Sequence, residues 1–330
     1  RNKEDILMKF KKMLAIVLSM SLIFAGTANM AFADEGVGEG ENQGEETTIY
    51  ELKVNGEQFS TEKNTIKCGE GTAEYNHETA TLTLKNAKIT EIVGYAGGCI
   101  SSEMDELNIV LVGENTITNQ YNTGIVSTGN LTISGEGTLK ILCNMGISSG
   151  SYGNQSGLLT IKDTTVIINT DDKCISANSD IIVENSTLEA KVNPGTYSYA
   201  MAITLGTTGN FVITNSDVDV ESCDNAAISM GGVFSETERK LIINSGNITV
   251  KSKGGSSEAI SFSPVQNASI EVNGGLLNVE SVVAVTNLED EAIALNNVSI
   301  ATGAWNEKSI KITHPNHQYG TEWMHDKDSH

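Results

Sequence analysis

The 330-residue sequence predicts an all-β protein, a single-stranded right-handed parallel β-helix of about eight or nine coils with three short strands per coil. Three observations predict it. A small residue followed by Ile or Val recurs along the chain. Two short stretches of alternating apolar residues precede each recurrence. Proline is scarce, at 3 residues, while Gly, Asn, Ser and Thr are abundant, which suits many short strands joined by tight turns.

The recurring pair is Cys99-Ile100, Gly124-Ile125, Gly146-Ile147, Cys174-Ile175, Ala202-Ile203, Ala227-Ile228, Ala259-Ile260 and Ala284-Val285, with successive gaps of 25, 22, 28, 28, 25, 32 and 25 residues. Leu131-Thr132-Ile133 then Leu139-Lys140-Ile141, and Leu241-Ile242-Ile243 then Ile248-Thr249-Val250, show the two stretches between pairs. Period-two alternation marks half-buried strands. The residue after the repeat Ile or Val is hydroxylated at Ser101, Ser148, Ser176, Thr204, Ser229, Ser261 and Thr286, with Val126 the exception. An outward hydroxyl ladder beside an inward aliphatic one is what stacked coils require. A β-sandwich would share the strand spacing, but not the same pair at every third strand.

Taken in order along the chain, residues 1–33 read as upstream residues and a secretory signal peptide. Lys9, Lys11 and Lys12 precede the apolar run Met13 to Phe24, which is too short to span a bilayer, and Ala31-Phe32-Ala33 has the small-x-small form of a cleavage site. Residues 34–47 are nearly all Glu, Gly, Asn and Gln, and read as an acidic disordered linker. Residues 48–92 read as an N-terminal cap and first coil, 93–312 as the β-helix, and 313–330 as the start of a truncated C-terminal module. No second apolar run long enough to cross a membrane follows the signal. The expected location is extracellular or on the cell wall.

The formal net charge of −21 deepens to −24 once residues 1–33, with five basic and two acidic groups, are removed. Such a surface repels nucleic acid and anionic lipid, because it offers no basic patch to replace the counterions of phosphate. Glycans and cations remain as partners; nothing in the sequence specifies an oligomeric state. The five cysteines, Cys68, Cys99, Cys143, Cys174 and Cys223, are an odd number without CxxC pairs. They read as small buried residues in preference to a disulfide framework, with one stacked pair as the alternative.

The stretch Tyr50-Glu51-Leu52-Lys53-Val54-Asn55-Gly56, followed by Gly69-Glu70-Gly71-Thr72-Ala73-Glu74-Tyr75 and Thr79-Ala80-Thr81-Leu82-Thr83-Leu84-Lys85-Asn86-Ala87, resembles the opening of secreted clostridial (Firmicutes) surface proteins described as carbohydrate-binding domain-containing. The resemblance covers about residues 48–312. It implies a pectate-lyase-like right-handed β-helix with a polysaccharide or cell-wall glycan as partner. His317-Gln318-Tyr319-Gly320-Thr321-Glu322-Trp323 and Asp326 to His330 resemble the opening of a small module found downstream in such proteins.

Pectin-degrading helices of this kind need basic and titrating groups beside their carboxylates. Between His77 and His314 this chain has no histidine, and its solenoid has one arginine, Arg239, in a Glu-rich turn. That is poor material for proton transfer, and the balance leans against an enzyme. The runner-up catalytic set is Asp171, Asp172 and Lys173 in Asn169-Thr170-Asp171-Asp172-Lys173, which turn formation explains more simply. Asp217, Asp219 and Glu221 alternate with Val218 and Val220 and so point outward from one strand. Alignment of Leu188 with Val218 brings Glu189 and Lys191 beside them. Hard oxygen ligands in such a row suit Ca²⁺, and a solvated acidic face neutralised by Lys191 and Lys251 is the simpler alternative. Tyr95, Tyr121, Tyr197 and Tyr199 fall near the repeat Ile and are the candidate sugar-stacking residues, with shielding of strand ends as their alternative role. The expected function is non-catalytic polysaccharide binding. The alternatives are a pectin-type lyase or hydrolase, and a structural stalk or adhesin.

Overall fold

The computed structural model describes residues 47–92, 97–150, 157–195, 200–206, 209–223, 225–230, 239–253, 258–261, 268–280, 283–286, 293–295 and 298–302. Among these the fold is all-β, without a helix, and winds as a β-solenoid of about six turns. The proposed signal peptide, most of the acidic linker and the C-terminal module lie outside the described residues. Among the described residues no helix is long and apolar enough to cross a membrane.

Three faces arise because each turn supplies three strand segments, each paired in parallel with its counterparts one turn away. The first face carries Glu106–Val112, Asn130–Ser134, Leu159–Lys162, Ile181–Glu184, Phe211–Thr214 and Arg239–Ile243. Their register stacks Leu107, Leu131, Leu159, Ile181, Phe211 and Leu241 in one fully buried column. On the second face Ile117, Ile141, Ile168, Ala190, Val220 and Val250 form a second column. The third face holds the repeat itself: Ile100, Ile125, Ile147, Ile175, Ile203, Ile228 and Ile260 are directly in register and buried. Parallel strands ordinarily need helices over both surfaces. Here one surface of every strand faces the tube interior and the other faces water, so the alternation read from the sequence survives.

Two corners explain residues that alternation does not. The small partner of the repeat Ile must be small because the interior narrows where the second face turns into the third. A Cβ at Gly124 would lie 2.7 Å from Ile141 Cγ2, and one at Gly146 would lie 2.6 Å from Ile168 Cγ2. The corner between the first and second faces is turned by residues in the left-handed region, among them Asn86, Asp163, Asn185 and Asn215, with φ between 47° and 53°. Asn and Asp tolerate this conformation because a short polar side chain bonds locally. They also bond between turns: Asn215 Nδ2 donates to Asn185 Oδ1 at 2.9 Å, and Asn185 Nδ2 donates to Asp163 Oδ1 at 3.1 Å.

The N-terminal edge is covered by strands that run the other way. β1 (Ile49–Val54) and β2 (Glu57–Ser60) form a hairpin through Asn55 and Gly56, both at positive φ as a two-residue hairpin turn requires. β3 (Thr65–Cys68), β4 (Gly71–Asn76) and β5 (Thr81–Lys85) continue as an antiparallel meander. β1 then pairs antiparallel with Gly98–Ser102, and β5 pairs in parallel with Glu106–Val112. Exposed backbone donors and acceptors of the first turn are thereby satisfied, which removes an edge that would otherwise template aggregation.

None of the five cysteines is in a disulfide; Cys68, Cys99, Cys143 and Cys174 are buried and Cys223 is half-buried. Burial pushes the Cys68 thiol up to about 11 and the Cys174 thiol up to about 12. Arg239 departs from its expected place in a turn. It opens a strand on the first face and is fully buried, with Nη1 donating to Met230 O at 2.8 Å, and burial lowers its pKa. Its Nε and Nη2 have no hydrogen-bond partner among the described residues. Placed inward, this arginine is not available to a substrate on the outer surface.

Candidate functional site

The outward side of the second face changes character along the solenoid. In register beside one another lie Thr118, Leu142, Asn169, Lys191 and Glu221, and in the adjacent row Thr116, Lys140, Ile167, Glu189 and Asp219. Toward the N-terminal end this surface is mostly uncharged, with Leu142 and Ile167 half-exposed where alternation calls for polar residues. Further along, Glu189, Lys191, Asp219 and Glu221 make it charged, with Lys251 and Glu280 continuing one row and Thr249 and Asn278 the other.

At the uncharged end, where the second face turns toward the third, a groove of about 620 Å³ is lined by Thr118, Gln120, Leu142, Cys143, Asn169, Asp171 and Asn193. The volume falls within the ~300–1,000 Å³ usual for ligand sites. Its walls come from four successive turns, each contributing a strand end or the bend after it. An aliphatic floor flanked by amides and one carboxylate can take the apolar C–H surface of a sugar ring while bonding its hydroxyls. Tyr121 follows Gln120 directly and is 83% exposed, with its backbone N–H donating to Asn119 Oδ1 at 3.2 Å.

Of the sequence candidates, Asp171 lines this groove, and Tyr121 follows one of its other lining residues, Gln120, in the chain. Asp171 Oδ1 accepts from Asn193 Nδ2 at 3.0 Å, and the backbone N–H groups of Asp171 and Asp172 donate to Asn144 O at 3.3 and 2.9 Å. Gly146 N donates to Lys173 O at 2.8 Å. These bonds hold the bend that carries the chain out of Thr165–Thr170 toward Ile175–Ala177. Among the described residues the one histidine is His77, in the N-terminal cap, and the one arginine is the buried Arg239. Neither reaches this bend, so the described residues set no histidine or arginine beside Asp171. Tyr95, Tyr197 and Tyr199 lie outside the described residues.

The acidic row has the register that alignment of Leu188 with Val218 implies: Glu189 stands beside Asp219 and Lys191 beside Glu221. Lys191 Nζ sits between two carboxylates, 3.2 Å from Glu189 Oε2 and 3.1 Å from Asp219 Oδ2. Hydrogen bonding to Asp219 raises the Lys191 pKa above its ordinary value, with Glu189 adding to the effect and desolvation opposing it. Glu221 pairs with Lys253, and Asp217 Oδ1 accepts from Asn247 Nδ2 at 2.9 Å. Among the described residues no three acidic, histidine or cysteine side chains converge in a way that could hold a metal ion. Lysines thus occupy the space between these carboxylates.

Leu142 and Asn193 are not singled out by the sequence, and Asn169 enters there only as the first residue of the Asn169–Lys173 stretch. Leu142 carried a usable signal, since it breaks the alternation of Leu139-Lys140-Ile141 by adding an apolar residue at outward parity. Asn193 carried none, because its role depends on the turn beside it.

No curated protein and no solved structure matches this chain. A family model described as "Carbohydrate-binding domain-containing protein" matches residues 64–311, which span all three faces, the groove and the acidic row. An all-β solenoid with an amide-lined outer groove accords with that description, and the chain belongs to this family of carbohydrate-binding domain-containing proteins.

Proposed function

We propose that this protein is a secreted, cell-surface polysaccharide-binding β-solenoid that acts without catalysis, and that the groove beside Tyr121 is where the polymer lies. The observation that carries this reading is the groove itself: a half-exposed Leu142 bracketed by Thr118, Gln120, Asn169 and Asn193, with the exposed Tyr121 next in the chain after Gln120. Sugar recognition needs a ring-sized apolar surface next to amide and hydroxyl partners, and this edge supplies both. Secretion rests on the basic, apolar and small-residue order of residues 8–33. A right-handed winding of eight or nine coils follows from the strong preference of parallel β-crossovers and from the eight repeats of the small-Ile or small-Val pair.

A glycan-array screen of the full chain, followed by affinity electrophoresis on the polysaccharides retained, tests the proposal with calcium and with chelator. Retention that falls about tenfold in Tyr121→Ala and in Asn169→Ala, with unchanged thermal stability, is expected. Retention equal to wild type in both variants removes the groove. Absence of any retained glycan in either condition leaves a structural stalk as the better account.

A further inference from the structure

The N-terminal cap carries a second cleft, of about 550 Å³, between the hairpin and the meander. Four aromatic rings lead from the core to its surface. Phe59 is fully buried and lies 5.6 Å from Tyr75, which is 7% exposed. Tyr75 meets Tyr50 edge-on at 5.3 Å and 65°, and Tyr50 stacks with the exposed His77 at 5.3 Å and 29°. Tyr75 is anchored from behind by its hydroxyl against Met104 Sδ at 3.1 Å.

Capping alone does not require this arrangement, because rings that only close a solenoid end gain most by being buried. Here the outer two rings remain at the surface, held by neighbours and presented to solvent. Polar groups around them are left without partners: Asn64 and Asn76 use their carbonyl oxygens locally, while their Nδ2 groups and the Thr83 hydroxyl make no hydrogen bond among the described residues. Pre-held rings beside uncommitted amides lose little entropy when a ligand arrives. Glu74 and Glu78 also line the cleft. The hydrogen bond from Lys85 holds the Glu74 carboxyl below its ordinary range and offsets its charge, which leaves the Glu78 carboxylate to disfavour anionic sugars.

We propose that this cleft is a separate saccharide site taking one to three uncharged pyranose rings, stacked on the Tyr50–His77 pair and bonded by Asn64, Asn76 and Thr83. The choice of sugar as ligand class rests on the polysaccharide reading above; the location does not involve the groove.

The test is calorimetric and saturation-transfer titration of the full chain with cellotriose and maltotriose, with trigalacturonate as the anionic control. Binding of a neutral trimer, weakened about tenfold in His77→Ala and in Tyr50→Ala and kept within about twofold in Tyr50→Phe, is expected. Because His77 is exposed, His77→Ala reports on the site even if Tyr50→Ala disturbs the cap. Trimer binding that persists in Tyr121→Ala while polymer retention falls assigns the two sites separately. Trimer binding unchanged in His77→Ala, or equal preference for trigalacturonate, overturns the cleft and leaves the groove standing. Failure of both trimers at about 10 mM, with polymer still retained, also overturns it; failure of trimers and polymers together sinks the sugar-binding reading itself.

Discussion

Lys191 offers the sharpest test of how the acidic row is neutralised. Lys191→Met keeps the aliphatic stem against the strand surface but removes the charge between Glu189 and Asp219. Both ion pairs involve side chains more than a third exposed, so solvent screening limits each to about 0.2–1 kcal/mol. Repulsion between two carboxylates on adjacent strands, no longer bridged, adds to the loss. The sum is about 1–2 kcal/mol, or a fall of about 2–6 °C in Tm for a chain of this size. The sign with pH follows from the raised Lys191 pKa. A lysine raised in the folded state stabilises fully below its unfolded value near 10.5, and that contribution is lost as pH rises through the folded value. The difference between wild type and variant should therefore be full at neutral pH and close in strong alkali. Differential scanning calorimetry at pH 7, in low salt and in about 1 M NaCl, reads the rest, since a Debye length of about 3 Å should shrink the difference by half or more. Calcium should raise the Tm of Lys191→Met but not of wild type, because only the variant leaves Glu189 and Asp219 facing each other without a cation. A variant as stable as wild type, or a deficit indifferent to salt, refutes the reasoning.

Gly246 and Gly195 separate a close contact from backbone strain. Both have positive φ, 99° and 92°, but a Cβ at Gly246 would lie 2.1 Å from Ser216 O while one at Gly195 meets nothing within 4 Å. Gly246→Ala should cost about 2–4 kcal/mol and Gly195→Ala about 1 kcal/mol by denaturant unfolding; equal costs would show that packing between turns is not the constraint. For the thiols, native protein at pH 8 should leave Cys68 and Cys174 unmodified by a thiol-specific reagent and release them on unfolding. Because burial raises both, stability should decline from about pH 9 toward 11–12, as the unfolded state ionises first; a flat alkaline limb would contradict their burial.

Much of the fold is legible in residues alone. The Ile ladder from Ile100 to Ile260 is the same column that the repeat marks, and Glu189 beside Asp219 follows from aligning Leu188 with Val218. Legibility has a simple source. In a parallel coil each residue stacks on its counterpart one turn away, so sequence period and spatial neighbourhood coincide. Arg239 is an exception by composition and not by period: its Glu-rich neighbourhood reads as a turn, although it shares inward parity with Leu241 and Ile243 and its side chain enters the interior.

What the sequence by itself determined is the strand repeat, the inward and outward sets, the scarcity of proton-transfer groups and the acidic balance. Which outward residues meet away from the in-register strands, at the bends and in the cap, was decided only in three dimensions. Gln120 and Asp171 are about two repeats apart in sequence, yet line one groove because the bend after each second-face strand falls at the same corner. The aromatic cleft of the cap depends on β1 crossing antiparallel to the solenoid, which brings Tyr50 onto Tyr75 and His77 outside any repeat. Lys191 between two carboxylates was placed on the right strand by alternation, but its choice of Glu189 and Asp219 is a matter of rotamer and distance, which no period encodes.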